Sequence, residues 1–295
     1  MDSSNKQTLP ESSLYSFIDQ SQTWVLTFLE GQKLVQDIVI RQPDLQHHFG
    51  VYREAILGFQ HLVHFFKENE QLGFYFESED GSFSFKLESS PKGQSRCTLV
   101  NHHEGSVPSA WTGNARFLVA YPELAKEPVQ SVIRVENATV PQIFNQVITS
   151  AMQISAEIVV SEDCDQSIMI TKLPDLGGKT VKPLAGSYEE LMALHLEAFK
   201  EIWKKALTEQ KAIVSELSSR GFSLLRSRPM AFKCPCSYER MLANVAMLWA
   251  RSEPDLFNED QNALEIVCDF CSEKYQVTEK AAQAFLEDLN ESSKN

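Results

Sequence analysis

The sequence predicts an α+β protein in which a mostly antiparallel sheet packs against helices, followed by a helical linker and a small C-terminal domain. Alternating apolar and polar residues recur through residues 1–186, with few helical stretches between them. An amphipathic stretch then follows Ser187, and four of the six cysteines lie in the last 62 residues. With 295 residues, of which 43% are hydrophobic, the chain can bury a substantial core and is expected to hold one main domain and one small domain.

The first elements of the chain are predicted to be helices. Residues 1–12 are polar and are expected to form a disordered N-terminus. Apolar residues at helical spacing predict one helix from Ser12 to Leu29 and another from about Val51 to Asn69. The first pattern is made by Leu14, Phe17, Ile18, Val25, Phe28 and Leu29, and the second by Ile56, Phe59, Leu62, Val63 and Phe66.

The clearest strand signal is a hairpin. Residues 73–77 and 82–87 alternate in polarity on either side of Asp80-Gly81, a dipeptide typical of tight hairpin turns. Further strands are predicted at residues 97–100, 117–120, 129–135, 154–160 and 167–172, with a helix at 141–150. Together with the N-terminal helices, these elements predict an α+β core domain over residues 13–186.

Residues 187–233 are predicted to be a helical linker between two domains. Ser187 and Glu190 form a capping-box pattern, and Gly221 is placed to end the helix. The helix carries an apolar stripe formed by Leu191, Leu194, Ala198, Phe199, Ile202, Trp203 and Ala206 and continued by Ile213, Val214 and Leu217. Such a stripe requires burial, because most helical stability comes from packing. A permanent interdomain helix is one interpretation of this pattern.

The four clustered cysteines predict a metal site. Cys234-Pro235-Cys236 and Cys268-Asp269-Phe270-Cys271 are two sequence-close pairs, and Zn²⁺ prefers four soft ligands arranged as two such chelating pairs. Pro235 suits the tight turn that the C-x-C half requires. Residues 234–295 are therefore predicted to be a tetrathiolate zinc-binding domain with Cys234, Cys236, Cys268 and Cys271 as its ligands.

The 31 residues between the two cysteine pairs have room for a helix and a strand. Apolar spacing predicts a helix over residues 237–249, and Leu264, Ile266 and Val267 predict a strand that leads into the second pair. Thr278 is placed to cap a closing helix that runs to about Asp288.

The same cysteines can also form a disulfide within each pair. Zinc-bound cysteines are thiolates, and thiolates rather than thiols react with oxidants. Because metal binding supplies much of the folding free energy of small metal domains, oxidising the ligands is expected to unfold this one. Two other interpretations are open: a thiol–disulfide oxidoreductase that uses C-x-x-C, and a protein-interaction module with a purely structural zinc site.

Residues 232–240, Phe-Lys-Cys-Pro-Cys-Ser-Tyr-Glu-Arg, and residues 267–275, Val-Cys-Asp-Phe-Cys-Ser-Glu-Lys-Tyr, resemble the 33-kDa heat-shock protein family of bacterial redox-regulated molecular chaperones. The resemblance implies a zinc-bound, inactive reduced form. It also implies that oxidation pairs Cys234 with Cys236 and Cys268 with Cys271, ejects zinc and exposes a surface that binds unfolding proteins.

The resemblance further assigns roles upstream of the cysteines. It implies that residues 187–233 are metastable, are held in place by the folded zinc domain and are released when zinc leaves. Client proteins would then bind to Phe199, Ile202, Trp203 and Phe222. The resemblance implies no catalysed reaction: the protein would be a holdase that limits aggregation of unfolded or oxidatively damaged clients under oxidative stress, with a homodimer as its oxidised form.

Charge and hydropathy argue against two classes of partner. The net charge of −13 disfavours nucleic acid, since phosphate binding rests on Lys and Arg contacts. No run approaches the roughly 20 apolar residues that a membrane-spanning helix needs, and the polar N-terminus has no signal-peptide pattern. A cytoplasmic protein without nucleic-acid or membrane partners is therefore expected.

The remaining candidate ligands are weaker. His47-His48, His102-His103 and the pair His61 and His64 could in principle bind a metal. Adjacent histidines on a strand point to opposite faces, and the helix face of His61 and His64 has no acidic residue that completes a recognisable motif, so a second metal or catalytic site is not expected. Cys97 and Cys164 are isolated and are expected to be small apolar residues.

Overall fold

The protein has the predicted α+β architecture with mainly antiparallel sheets. The computed structural model describes residues 9–42, 48–102, 108–121, 126–174, 183–252, 256–257 and 262–292. The chain forms two compact units, an N-terminal unit of residues 1–233 and a C-terminal unit of residues 234–295. Most of the N-terminus predicted to be disordered, residues 1–8, lies outside the described residues, whereas Ser12 is buried and its Oγ accepts a hydrogen bond from the amide of Leu34.

The larger sheet of the N-terminal unit has six strands in the order β11-β5-β4-β3-β6-β7. The strands are β3 (Gln71–Ser78), β4 (Phe83–Ser89), β5 (Gln94–Asn101), β6 (Trp111–Tyr121), β7 (Lys126–Ala138) and β11 (Ala231–Phe232). All neighbours are antiparallel except β11 and β5. The predicted hairpin is confirmed: β3 and β4 are joined by a turn in which Gly81 has a φ of 70°.

The second sheet has five antiparallel strands in the order β10-β1-β2-β9-β8. These are β1 (Ser13–Asp19), β2 (Trp24–Glu30), β8 (Ala156–Val160), β9 (Gln166–Lys172) and β10 (Phe222–Pro229). Both faces of this sheet are covered. Leu29 and Met169 belong to the main core, while Phe28 and Ile168 belong to a second core on the opposite face.

The predicted helix from Ser12 to Leu29 is wrong, because this segment forms the hairpin of β1 and β2. The turn is held by Asp19, whose carboxylate accepts hydrogen bonds from the amides of Ser21, Thr23 and Trp24 at 3.1, 2.7 and 2.7 Å. Every residue of β2 is buried, so the strand lacks the alternating polarity by which strands are recognised.

Three helices lie in the main core with the larger sheet. They are α1 (Gln32–Val39), α2 (Phe49–Phe59) and α3 (Val140–Ala151). The helix predicted over 51–69 corresponds to α2 and a 3₁₀ helix (Gln60–Phe65) that continues it. Thr139 and Gln142 form a capping box at the start of α3, where Pro141 occupies the first turn.

The segment predicted as a helical linker is helical only in its first part. It contains α4 (Tyr188–Ala206) and α5 (Lys211–Ser219), and Ser187 caps α4 by accepting a hydrogen bond from the amide of Glu190. Residues 222–233, which are also predicted to be part of the helical linker, instead supply β10 and β11 to the two sheets. Gly221, with a φ of 87°, makes the turn from α5 into β10.

The C-terminal unit contains α6 (Tyr238–Ser252), the antiparallel hairpin of β12 (Ala263–Val267) and β13 (Lys274–Thr278), and α7 (Glu279–Ser292). The two predicted helices and the strand at 264–267 are confirmed, and Thr278 caps α7 through the amide of Ala281. The strand β13 has no counterpart in the sequence-based prediction. The unit has its own core of Val245, Ala246, Phe257, Val277 and Ala282.

Candidate metal centre

The four predicted ligands converge in the C-terminal unit. Cys234 and Cys236 lie immediately before α6, while Cys268 and Cys271 lie in the turn that joins β12 to β13. The four sulfur atoms all lie within 4.8 Å of one another. Two of the distances join the two halves: Sγ of Cys234 is 3.6 Å from Sγ of Cys268, and Sγ of Cys236 is 3.3 Å from Sγ of Cys271.

Hydrogen bonds to backbone carbonyls shape both halves of the cluster. In the second half, the amide of Ser272 donates to the carbonyl of Cys268 at 2.8 Å, and the amide of Cys268 donates to the carbonyl of Glu273 at 2.9 Å. Ser272 adopts a φ of 59°, a conformation that helps close this tight turn. In the first half, the guanidinium of Arg240 donates to the carbonyl of Pro235 at 3.0 Å, which ties the C-x-C turn to α6.

The cluster fits a tetrahedral zinc ion. With Zn–S bonds of about 2.3 Å, a regular tetrahedron has sulfur atoms about 3.8 Å apart. The sulfur–sulfur distances above are close to this value, and none of the four cysteines is in a disulfide. Burial raises the pKa of the Cys271 thiol. A cation among the four sulfurs would oppose that effect by stabilising the thiolate.

A tyrosine in the C-terminal unit contacts the cluster. The hydroxyl of Tyr275, in β13, donates a hydrogen bond to Sγ of Cys236 at 3.2 Å. The neighbouring Lys274 forms an ion pair with Glu265 of β12 at 3.0 Å. Tyr275 was not among the predicted site residues, because its contact with Cys236 depends on β13, which was not predicted.

The four predicted client-binding residues lie in the N-terminal unit and are buried together. Phe199, Ile202, Trp203 and Phe222 belong to the second core, which is formed by α4, α5 and one face of the five-stranded sheet. Leu194, which belongs to the same predicted stripe, is 60% exposed. Apart from Leu194, the large apolar side chains of the stripe in α4 are therefore packed in the second core.

Two tryptophans in this second core differ in the hydrogen bonding of their indole N–H groups. The indole N–H of Trp24 donates to the carbonyl of Ala185 at 3.0 Å. The indole N–H of Trp203 is buried and has no hydrogen-bond acceptor among the described residues. A buried polar group without a partner costs about 1–3 kcal/mol. Burial of the Trp203 N–H in the packed α4 therefore lowers the stability of the folded protein by this amount.

The histidines do not form a second centre in the described part of the chain. His61 is fully buried, and its ring nitrogens contact the hydroxyls of Thr27 at 2.7 Å and Ser167 at 2.8 Å. Among the described residues, the four-cysteine cluster is the one group of three or more His, Cys, Asp or Glu residues whose ligand atoms converge. His47 and His103 lie outside the described ranges, and Cys97 and Cys164 are buried, as expected.

No helix within the described ranges is long and apolar enough to cross a membrane.

Comparison with known proteins gives one consistent family. The family model described as "Hsp33 protein" matches residues 12–278. A "33 kDa chaperonin" of Desulforamulus reducens is 26% identical over 174 residues, which cover 56% of this chain and 57% of the relative. The "33 kDa chaperonin" of Streptococcus pyogenes serotype M5 is 27% identical over 190 residues, which cover 60% and 61%. The chain thus spans about 60% of the length of these curated relatives.

A solved structure supports the fold. The crystal structure of the 33 kDa chaperonin (heat shock protein 33 homolog) from Thermotoga maritima superposes with a TM-score of 0.68. The match covers 96% of this chain and all of that one at 13% identity, so it establishes likeness of fold. Because the family model matches most of its length, the chain belongs to the Hsp33 family.

Proposed function

We propose that the protein is a redox-regulated holdase chaperone that binds unfolding proteins and limits their aggregation without catalysing a reaction. The observation that carries the proposal is the convergence of four cysteine sulfurs within 4.8 Å of one another. The relatives named 33 kDa chaperonin support a chaperone role. The expected clients are unfolded or oxidatively damaged proteins, and the expected compartment is the cytoplasm, with no nucleic-acid or membrane partner.

The four cysteines serve as both ligands and sensor in this proposal. Zinc, when bound, holds the sulfurs as thiolates and contributes folding free energy to the C-terminal unit. The small core of that unit supports the idea that its fold depends on the metal.

Oxidation would remove the ligands in pairs. Each pair of cysteines loses two electrons to an oxidant such as hydrogen peroxide, forms one S–S bond and leaves two molecules of water. The proposed pairs are Cys234 with Cys236 and Cys268 with Cys271. Because the two short sulfur–sulfur distances join the halves instead, peptide mapping of the oxidised protein is needed to establish the pairing.

Residues 187–233, which immediately precede Cys234, are the proposed metastable linker. One feature supports metastability: the buried N–H of Trp203 in α4 has no acceptor among the described residues. Phe199 and Ile202 of the same helix are packed in the second core while the segment is in place. Release of the segment would solvate this N–H and would expose Phe199, Ile202, Trp203 and Phe222 to a client. Exposed apolar surface of this kind would also allow the proposed homodimer of the oxidised form to associate.

Light scattering from a heat-labile client protein tests the proposal. The reduced, zinc-loaded protein should leave aggregation nearly unchanged, and the peroxide-treated protein should suppress it. The matched control is Cys164→Ala, which removes a buried cysteine outside the cluster and should keep the full redox response. Equal suppression by both redox forms, or none by either, would refute redox regulation.

Two further measurements separate the alternatives. A purely structural zinc site predicts that zinc stays bound when peroxide is added under conditions that inactivate free thiols. A thiol–disulfide oxidoreductase predicts reduction of a disulfide substrate at many turnovers per chain. The holdase proposal predicts zinc release and no turnover.

A further inference from the structure

The contact between Tyr275 and Cys236 joins the two halves of the cluster. Tyr275 follows the second cysteine pair in the chain, yet its hydroxyl lies 3.2 Å from a sulfur of the first pair. Its backbone is fixed in the ladder between β13 and β12, where Tyr275 is the register partner of Ile266. The hairpin therefore fixes the position from which the Tyr275 side chain reaches Cys236.

We propose that Tyr275 is a positioning residue that protects Cys236 from oxidation and so sets the threshold of the redox response. This inference rests on the proposed tetrathiolate zinc centre. A thiolate carries no proton, so the tyrosine hydroxyl is the donor in this hydrogen bond. A hydrogen bond to an ionised group is stronger than one between neutral groups, and it withdraws electron density from the sulfur.

The chemistry of peroxide oxidation explains why this matters. In the first step a thiolate lone pair attacks one peroxide oxygen; an S–O bond forms, the O–O bond breaks, and the departing hydroxide takes up a proton to leave as water. In the second step the thiolate of the other cysteine attacks the sulfur of the sulfenic acid; the S–S bond forms, the S–O bond breaks, and the departing hydroxide takes up a proton from solvent to leave as a second water. A hydrogen bond that occupies a sulfur lone pair slows the first step.

The charged neighbours do not supply the same effect. Lys274 is paired with Glu265, and Arg240 donates to the carbonyl of Pro235. The Tyr275 hydroxyl is thus the side-chain donor that the structure assigns to Cys236. Its loss should make Cys236 more reactive while leaving the packing of the ring unchanged.

The test compares Tyr275→Phe with Tyr238→Phe in the full chain. Tyr238 begins α6, two residues after Cys236, and is 40% exposed, so its variant removes a hydroxyl from a partly exposed side chain of the same unit. Zinc release after a fixed dose of peroxide, followed with a chromogenic chelator, should be about three- to tenfold faster in Tyr275→Phe. Brief alkylation followed by peptide mapping should show a larger share of label on Cys236.

A spectroscopic readout separates this role from a loss of packing. In the Co²⁺-substituted protein, a hydrogen bond to a thiolate raises the energy of the sulfur-to-metal charge-transfer band. Tyr275→Phe should therefore shift this band to longer wavelength, while Tyr238→Phe should not. Replacing Tyr275 by 3-fluorotyrosine, a stronger donor of nearly the same shape, should slow zinc release. That variant keeps the test usable if the phenylalanine variant binds metal poorly.

The outcomes distinguish this inference from the proposed function. Wild-type protein that binds zinc and releases it on oxidation, with equal rates and equal bands in the Tyr275 variants, would overturn the role of Tyr275 and leave the redox switch standing. A wild-type protein that binds no zinc would overturn both.

Discussion

Phe222 is the register partner of Asp19 in the antiparallel ladder between β10 and β1. Strand β10, which lies within the proposed linker, is thus an edge strand of a sheet whose other strands come from the core domain. Release of residues 187–233 would uncover not only apolar side chains but also the hydrogen-bonding edge of β1. An uncovered strand edge is itself a template for binding an extended polypeptide.

Removing a buried aromatic from α4 should destabilise the packed linker. Phe199 is fully buried in the second core, so Phe199→Ala should lower the free energy of unfolding by about 3–5 kcal/mol. Leu194, on the same helix, is 60% exposed, and Leu194→Ala should change it by no more than about 0.5 kcal/mol. Urea unfolding followed by circular dichroism measures both. Equal effects of the two variants would contradict the observed burial.

The two tryptophans of the second core should respond oppositely to loss of the indole N–H. Trp203→Phe removes a buried donor without an acceptor among the described residues, so it should be neutral or stabilising and should delay activation by oxidant. Trp24→Phe breaks the hydrogen bond to Ala185 and should cost about 1 kcal/mol or more. Thermal unfolding of the reduced protein compares them. The explanation fails if Trp203→Phe is the more destabilising of the two.

His61 should make the protein less stable in acid. Ser167 donates its own proton to the carbonyl of Leu57, so it accepts from Nε2–H of His61, and the Thr27 hydroxyl donates to Nδ1. Burial lowers the pKa of His61 to about 3 from 6.5. Below pH 6.5 the imidazole of His61 is therefore protonated in the unfolded chain but stays neutral in the folded protein. The free energy of unfolding falls as the pH drops from 6.5 towards 3. Between pH 7.5 and 5 the loss is about 2 kcal/mol.

A second buried group, Glu30, changes the stability with pH in the opposite direction, so its contribution must be measured separately from that of His61. Burial raises the pKa of Glu30 to about 6 from 4.5, so protonation of Glu30 adds stability as the pH falls through that range. Denaturant unfolding at both pH values should therefore be measured for His61→Gln and Glu30→Gln. The first variant should lose stability less steeply in acid than the wild type, and the second more steeply. Parallel pH profiles in all three proteins would contradict the assignment.

Gly113 should tolerate no side chain. A Cβ at this position in β6 would overlap the carbonyl oxygen of Glu77 in β3, so Gly113→Ala should cost about 2 kcal/mol or more. Gly50, in the first turn of α2, has nothing within 4 Å of such a Cβ. Gly50→Ala should therefore stabilise the helix by about 0.5–1 kcal/mol. Thermal unfolding of the two alanine variants measures both effects. A Gly113→Ala variant with unchanged stability would contradict this prediction and show that β6 can shift.

Local signals predicted much of the fold and the metal centre. The hairpin at Asp80-Gly81, the capping box at Ser187 and the two cysteine pairs each lie within a few residues, so their chemistry is visible in the sequence. The fold class and the ligand cluster followed from such patterns. The helices α3, α6 and α7 were found for the same reason.

Long-range pairing explains what the sequence did not reveal. Ser16 and Phe17 are both buried next to an irregularity in the ladder with β10, which breaks the alternation of β1 and leaves a spacing that resembles a helix. In β10, the exposed Leu224 and Leu225 are adjacent, and the strand's partner lies about two hundred residues earlier in the chain. The contact of Tyr275 with Cys236 was hidden because it depends on the pairing of β13.

Zinc released per chain during a peroxide titration tests the central claim most directly. The reduced protein should hold about one zinc ion per chain. It should release that ion in step with the loss of the thiols of Cys234, Cys236, Cys268 and Cys271, and Cys164→Ala should behave in the same way. A reduced protein without zinc, or one that keeps its zinc after these four thiols are oxidised, would contradict the account.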